Sequence, residues 1–344
     1  VGSVSGPGFD SRRLHFLIVL SGGLLDRGRV TALPSRSSAP DGGLVIWKPR
    51  GPTSRAIINQ VQLRLDFKGL GHCGTLDPMA SGVLVIIGGA GRRFQQLLTV
   101  HDKSYEATIW FGISSTTDDA EGPLSCPVPH CQIPTLERIE QALCGFLGNQ
   151  TQVPPVHSAI RVGRRRSYER ARSGDHTPPP SRQVVFHSLT ILEFDGPRLR
   201  LKVDCSRGTY IRSLARDLGD SLGCPSSLMA LRRIASGVHS GIDAVLPDRV
   251  VESDWLSLEQ LLCQISRVEV DQHQAVCLGH GQLLSLDELE HPQVAENSGI
   301  EGDLRVIWCQ GVVRGIGRVV DGFLRPKRWL PERGIDRVVD LDPA

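Results

Sequence analysis

The spacing of apolar side chains changes character several times along the chain. "GLVIWKPRGPTS" (43 to 54) opens with consecutive apolar residues and is cut off at Pro49, which predicts a short strand, with Thr53 or Ser54 placed to cap a helix after it. Ile57, Ile58, Val61 and Leu65 then recur at helical spacing. "VLVII" (83 to 87) predicts a buried strand, and "GRRFQQLLTV" (91 to 100) the start of a helix. "YEATIWF" (105 to 111) alternates Tyr105, Ala107, Ile109 and Phe111 on one face, and "LRLKVDC" (199 to 205) does the same with Leu199, Leu201, Val203 and Cys205. The second strand runs through Gly208 into a helix carrying Ile211, Leu214, Ala215, Leu218 and Leu222. Strands and helices mix without a regular β-α repeat, so the expected class is α+β with a mixed, largely antiparallel sheet. Beyond about residue 260, "AVCLGHGQLLSL" and "DLRVIWCQGVVRGIGRVVDGFLRPKRWL" predict a small β-rich barrel.

Composition narrows the class further. A chain of 344 residues is long enough for two domains, and 40% hydrophobic with 22% charged residues is ordinary for a globular protein. A net charge of +2 leaves a polyanionic partner undecided, but arginine is clustered in "RVGRRRSYERAR" (161 to 172), "SRGTYIRSLAR" (206 to 216) and "RPKRWL" (325 to 330). Such patches suit a phosphate backbone or a solvated surface equally well. Nine cysteines form no repeated framework, so no disulfides are expected and a reducing cytoplasm fits best. "CPVPHC", with Cys126, His130 and Cys131, has no second pair at zinc-ribbon spacing, and "DDAEG" (118 to 122) reads as an acidic turn, so no metal site is expected. The apolar run in "RRLHFLIVLSGGLL" is too short to span a bilayer. With the linker-like "PSRSSAPDGG" (34 to 43), it marks 1–41 as a disordered extension.

The densest chemistry lies in "GLGHCGTLDPMASGVLVIIG" (69 to 88). Asp77 precedes Pro78, which biases it toward an extended or turn conformation, and the surrounding glycines let another molecule approach the backbone. Taken alone, this carboxylate could simply bond turn amides. The wider pattern is more specific. "GHCGTLDPMASGVL" resembles the signature loop of the TruB family of tRNA pseudouridine synthases, G-H-x-G-[TA]-L-D-P-x-A-[ST]-G. Five further blocks are similar to the family's and stand in its order: "WKPRGPTS", "DKSYEA", "PPVHSAIRVGRRRSYERAR", "CSRGTYIRSLARDLG" and "LRRIASG".

The resemblance implies a pseudouridine synthase catalytic domain over 42–255 and a PUA-like RNA-binding domain over 260–344. It implies isomerisation of uridine to pseudouridine at position 55, in the T arm of tRNA, by a cytoplasmic monomer that needs no cofactor, metal, membrane or protein partner. Asp77 would act at ribose C1′ or C2′; Arg212 would pair with it; Tyr105 would stack on the flipped base; Tyr210 would sit near C5. His72, Lys48, Leu231 and Arg161 would contact the base or the RNA. Departures from the family pattern include Thr116, where an aspartate is usual, and Arg161 in place of a common lysine. Two other classes compete. A pure RNA-binding or tRNA-folding protein would need only the arginine patches and the terminal module, and a nucleotide-cofactor enzyme is suggested by "IGGAGRR" (87 to 93), which lacks the G-x-G-x-x-G fingerprint.

Overall fold

A computed structural model describes residues 37–126, 131–163, 165–263, 265–289 and 304–330. The N-terminal apolar run and His130 lie outside the described residues. The main sheet is built from β1 (Gly42–Lys48), β2 (Ala80–Gly88), β3 (Lys103–Phe111), β4 (Gly148–Gln152), β5 (Arg182–Asp195), β6 (Arg198–Cys205) and β7 (Ser226–Ser236). Their order is β1-β2-β7-β3-β6-β5-β4, with the short strands Gly71–His72 and His239–Ser240 attached to β2 and β7. Along this path only β2 and β7 run parallel, so the sheet is mixed and largely antiparallel as expected.

The helices are α1 (Ser54–Arg64), α2 (Gln95–Thr99), α3 (Leu136–Phe146), α4 (Ser167–Arg172), α5 (Ile211–Leu222), α6 (Leu258–Leu262) and α7 (Gln272–Gly279). One face of the sheet packs against α1, α3 and α5, joining Ile57, Ile58, Val61, Ile139, Leu214 and Leu218 to the alternating residues of β3 and β6. Strand β2 is buried on both faces: Leu84 and Ile86 enter this cluster, while Val83, Val85 and Ile87 enter a second one. That explains its unbroken apolar run, because alternation disappears when neither face meets water.

The second cluster also takes in Leu304, Val306, Val313 and Ile316 from a five-stranded C-terminal sheet. This sheet comprises β8 (Arg267–Glu269), β9 (Leu284–Ser285), β10 (Leu304–Cys309), β11 (Val312–Val320) and β12 (Phe323–Trp329), in the order β8-β10-β11-β12-β9. It is consistent with the PUA-like expectation. Its apolar residues continue into the back of the main sheet, so the two regions share a cluster.

Two expectations change. The segment assigned to the disordered linker begins to pack before residue 42: Ser37–Ser38 pair with Phe67–Lys68, and Ala39 is buried. Proline and glycine content marks a linker but does not register such a backbone pairing. Cys131 and Cys224 are joined in a disulfide although 93 residues separate them. No spacing rule reveals the pair, because it is made by the folding of the segment before α3 against the end of α5. No helix among the described residues is long and apolar enough to cross a membrane.

The start of α1 is tied to the loop that carries Asp77. Thr53 caps the helix by accepting from Ala56 N at 3.1 Å. Ser54 is buried, and its Oγ accepts from Leu76 N at 2.9 Å and donates to Leu76 O at 3.0 Å. Ser54→Ala leaves both backbone groups of Leu76 without this partner, so urea denaturation should show a loss of about 1–3 kcal/mol. A smaller loss would mean that Leu76 finds other partners.

Candidate active site

Asp77 sits between the short strand Gly71–His72 and β2, in a turn closed by Ala80 N donating to Asp77 O at 3.1 Å. The loop is held from beneath. Lys48, wholly buried at the end of β1, donates from Nζ to Pro49 O at 3.1 Å, Pro78 O at 3.3 Å and Ala80 O at 2.6 Å. Burial pushes its ammonium down to about 8, opposed by the negative charge of nearby Asp77. Gly51 N adds a bond to Pro78 O at 2.8 Å. These tethers leave the Asp77 side chain 34% exposed on a loop with little freedom.

Arg212 lies in the first turn of α5 and is almost completely buried. Its Nε stands 3.0 Å from Asp77 Oδ2, a close charge pair. The remaining nitrogens are occupied: Nη1 donates to Thr117 O at 3.1 Å and lies 3.4 Å from Asp119 Oδ2, and Nη2 donates to His157 O at 3.0 Å. Asp119, itself buried, accepts from Thr117 Oγ1 at 2.5 Å and Glu121 N at 3.0 Å. The acidic turn therefore braces a guanidinium. Burial, with Asp119 and Asp77 nearby, pushes the Glu121 carboxyl up. The helix start is fixed by Gln152 of β4, which accepts from Tyr210 N at 2.8 Å and donates to Tyr210 O at 3.0 Å.

Asp77, Tyr105, Tyr210, Arg212 and Leu231 line one cleft of about 550 Å³. Tyr105 projects from β3 and is 8% exposed; burial raises its phenol pKa, with Arg233 opposing. Burial also raises that of Tyr210, whose ring lies 5.5 Å below the Arg182 guanidinium. Leu231 reaches the cleft because β7 pairs with both β2 and β3, setting it beside Ala80 and Ala107. The wall thus combines a carboxylate, two phenols, apolar surface and a rim of arginine, a setting for a planar base attached to a sugar phosphate.

The remaining predicted residues stand elsewhere. Lys48 is beneath the loop with its ammonium spent on carbonyls, so it reaches the site through the backbone and makes no surface for RNA. His72 lies off the cleft wall, its carbonyl accepting from Gln95 Nε2 at 2.9 Å, and burial, reinforced by Arg233 and Arg55, pushes its imidazole pKa down. Arg161 is exposed on the hairpin formed by Arg161–Val162 and Arg165–Arg166, outside the cleft. Sequence reasoning missed Gln152, Asp119, Arg182, Lys103 and Arg233. The last two are inside recognised blocks, "DKSYEA" and "LRRIASG", whereas Gln152 carries no local signal. Among the described residues, no three metal-ligating side chains gather in one place.

Known proteins are similar to this chain over most of its length. The TruB family pseudouridylate synthase N-terminal domain matches residues 63–211. A tRNA pseudouridine synthase B from Aromatoleum aromaticum is 38% identical over 297 residues, covering 84% of this chain and 92% of its own. The protein of the same name from Azoarcus sp. is 36% identical over 297 residues, covering 84% of this chain and 95% of its own. Among solved structures, a chain of a Cbf5-Nop10-Gar1 complex superposes with a TM-score of 0.60 at 25% identity, covering 81% of this chain and 78% of that one. Shared sequence over most of both lengths places this protein plainly: it belongs to the TruB family of pseudouridylate synthases.

Proposed function

We propose that the protein isomerises uridine to pseudouridine in tRNA, at position 55 of the T arm, working in the cytoplasm as a monomer without a cofactor or protein partner. The observation that carries this reading is the Asp77–Arg212 pair at 3.0 Å in a cleft shared with Tyr105, Tyr210 and Leu231. Relatives named tRNA pseudouridine synthase B support tRNA as the substrate.

The reaction breaks the bond from C1′ to N1, turns the base, joins C5 to C1′, and moves the C5 proton to solvent while N1 gains one. Nothing is oxidised or reduced. A base inside a folded T arm is hidden, so it must be extruded at a cost of a few kcal/mol. Asp77 acts on the ribose, as carboxylates do at the anomeric centre of glycosides, either at C1′ or on the C2′ proton. Arg212 supplies a positive charge held in place beside the carboxylate. Tyr105 supports the extruded ring, Leu231 fills the apolar wall, and Tyr210 stands near C5 for the final deprotonation.

The direct test is tritium release from a tRNA transcript labelled at uridine C5, with mapping of the modified nucleotide. Wild type should release tritium from the T arm, and Asp77→Asn should release none while still binding. Binding without release by the wild type would leave an RNA-binding protein in place of an enzyme. Arg212→Lys retains a charge but cannot hold Asp77, Thr117 O and His157 O together. Its single-turnover rate should fall by about 100-fold or more, with transcript affinity changed little. A near-normal rate would show that charge alone suffices. Arg161→Ala removes an exposed cation outside the cleft. It should weaken binding, reduce the slope of log affinity against log salt by about 1, and leave the rate at saturation unchanged. An unchanged salt slope would take Arg161 off the RNA path.

A further inference from the structure

The floor of the cleft holds a guanidinium to which the isomerisation itself gives no part. Arg233, on β7, is 1% exposed. Its Nε donates to Val83 O at 2.7 Å and its Nη2 to Gly74 O at 3.0 Å. It stands opposite Tyr105 in the β7–β3 register, so the two buried side chains lie on one face of the sheet, the guanidinium near enough to act on the phenol. Three elements meet on this one group: strand β2, the Gly74 end of the Asp77 loop, and the aromatic side chain on β3.

The surroundings are shaped to admit it. Gly82 faces Arg233 across the β2–β7 ladder at φ +112°, and a Cβ there would lie 2.1 Å from Arg233 O. Gly74, at φ +98°, would place a Cβ 3.4 Å from the guanidinium. Beside it, Lys103 Nζ is turned away onto carbonyls, donating to Thr99 O at 2.5 Å and to His101 O. Burial and the Arg233 charge push that ammonium down to about 8. A guanidinium carries five N–H donors in one rigid plane, so two fixed carbonyl contacts also fix the direction offered to a third partner. An ammonium on a flexible stem does not.

We propose that Arg233 is a positioning residue: it locks the Tyr105 ring and the Gly74 end of the Asp77 loop into one geometry, so that the stacking surface and the carboxylate meet the same nucleotide in register. This deepens the proposed synthase function and rests on it for its kinetic consequence. An arginine that merely filled the floor would affect stability without linking Tyr105 to the rate.

The test uses the full chain and the C5-tritiated transcript in single turnover, with the bound fraction titrated so that rates refer to formed complexes. Arg233→Lys and Arg233→Gln are each made alone and combined with Tyr105→Phe. Either Arg233 substitution should lower the rate per complex by about 100-fold, the cost of a misplacement near 1 Å, with the dissociation constant within about threefold. In the Tyr105→Phe background the same change should cost less than about fivefold, because the shared contact is already gone. Fully multiplying losses, an unchanged rate, or a loss confined to binding would overturn the proposal. A second readout needs no turnover. The chain has three tyrosines, so fluorotyrosine labelling gives three fluorine resonances, and that of Tyr105 should move in both Arg233 variants of the free protein. A stationary Tyr105 resonance would overturn the proposal even if the rates fell. Absence of tritium release by wild type would instead remove the synthase reading and leave the resonance test standing.

Discussion

Asp77, the carboxylate of the proposed reaction, stands partly exposed in a loop, and a loop makes too few contacts of its own to hold a side chain still. Three buried cations resolve that conflict here. Lys48, Arg212 and Arg233 are 0%, 4% and 1% exposed, and each grips backbone carbonyls around the Asp77 turn or the elements beside it. Removing a charge from water is costly, and hydrogen bonds to several carbonyls offset that cost only when the geometry is good. The cations therefore fix the loop strongly: any displacement of its carbonyls leaves a buried charge less well satisfied.

That constraint explains the sheet order. The three anchors come from β1 and from α5 and β7, a consecutive pair more than 150 residues further along the chain, and the loop leads directly into β2. Placing β2 between β1 and β7 brings Lys48 under one end of the loop and Arg233 under the other. The parallel β2–β7 pairing, alone among the main-path neighbours, sets Leu231 beside Ala80 and Arg233 beside Gly82. Because β2 is apolar on both faces, polarity does not fix its register, and the cross-strand pairs with β1 and β7 and the fit of its side chains in the two clusters do so instead.

How much of this was legible depends on the range of the interaction. Strands β3 and β6 and helix α1 were readable because alternation and helical spacing are local consequences of burial. Asp77, Tyr105, Tyr210, Arg212 and Leu231 were named from motifs, and they line one cleft. Motifs mark positions without giving direction, which is why Lys48 looked like an RNA contact although its side chain points under the loop. The brace on Arg212 was illegible for another reason: Asp119 lies far earlier in the chain, in a turn whose local pattern says only that it is acidic. Gln152 aligning Tyr210 and the Cys131–Cys224 link are of the same kind, since nothing near either residue requires its partner.

The choice of acceptors has an electrostatic consequence. Carboxylates buried beside Lys48 and Arg233 would have satisfied them more readily, but would also have cancelled their charge. Carbonyl oxygens satisfy the hydrogen bonds and leave the positive field in place. Only Arg212 is matched by carboxylates, and one of the two is Asp77, the group that faces the cleft. A chain with a net charge of only +2 can therefore present a locally positive pocket. Under the proposed function, RNA phosphates would meet the arginine rim and the target base would meet a floor whose charges are held in place by backbone carbonyls.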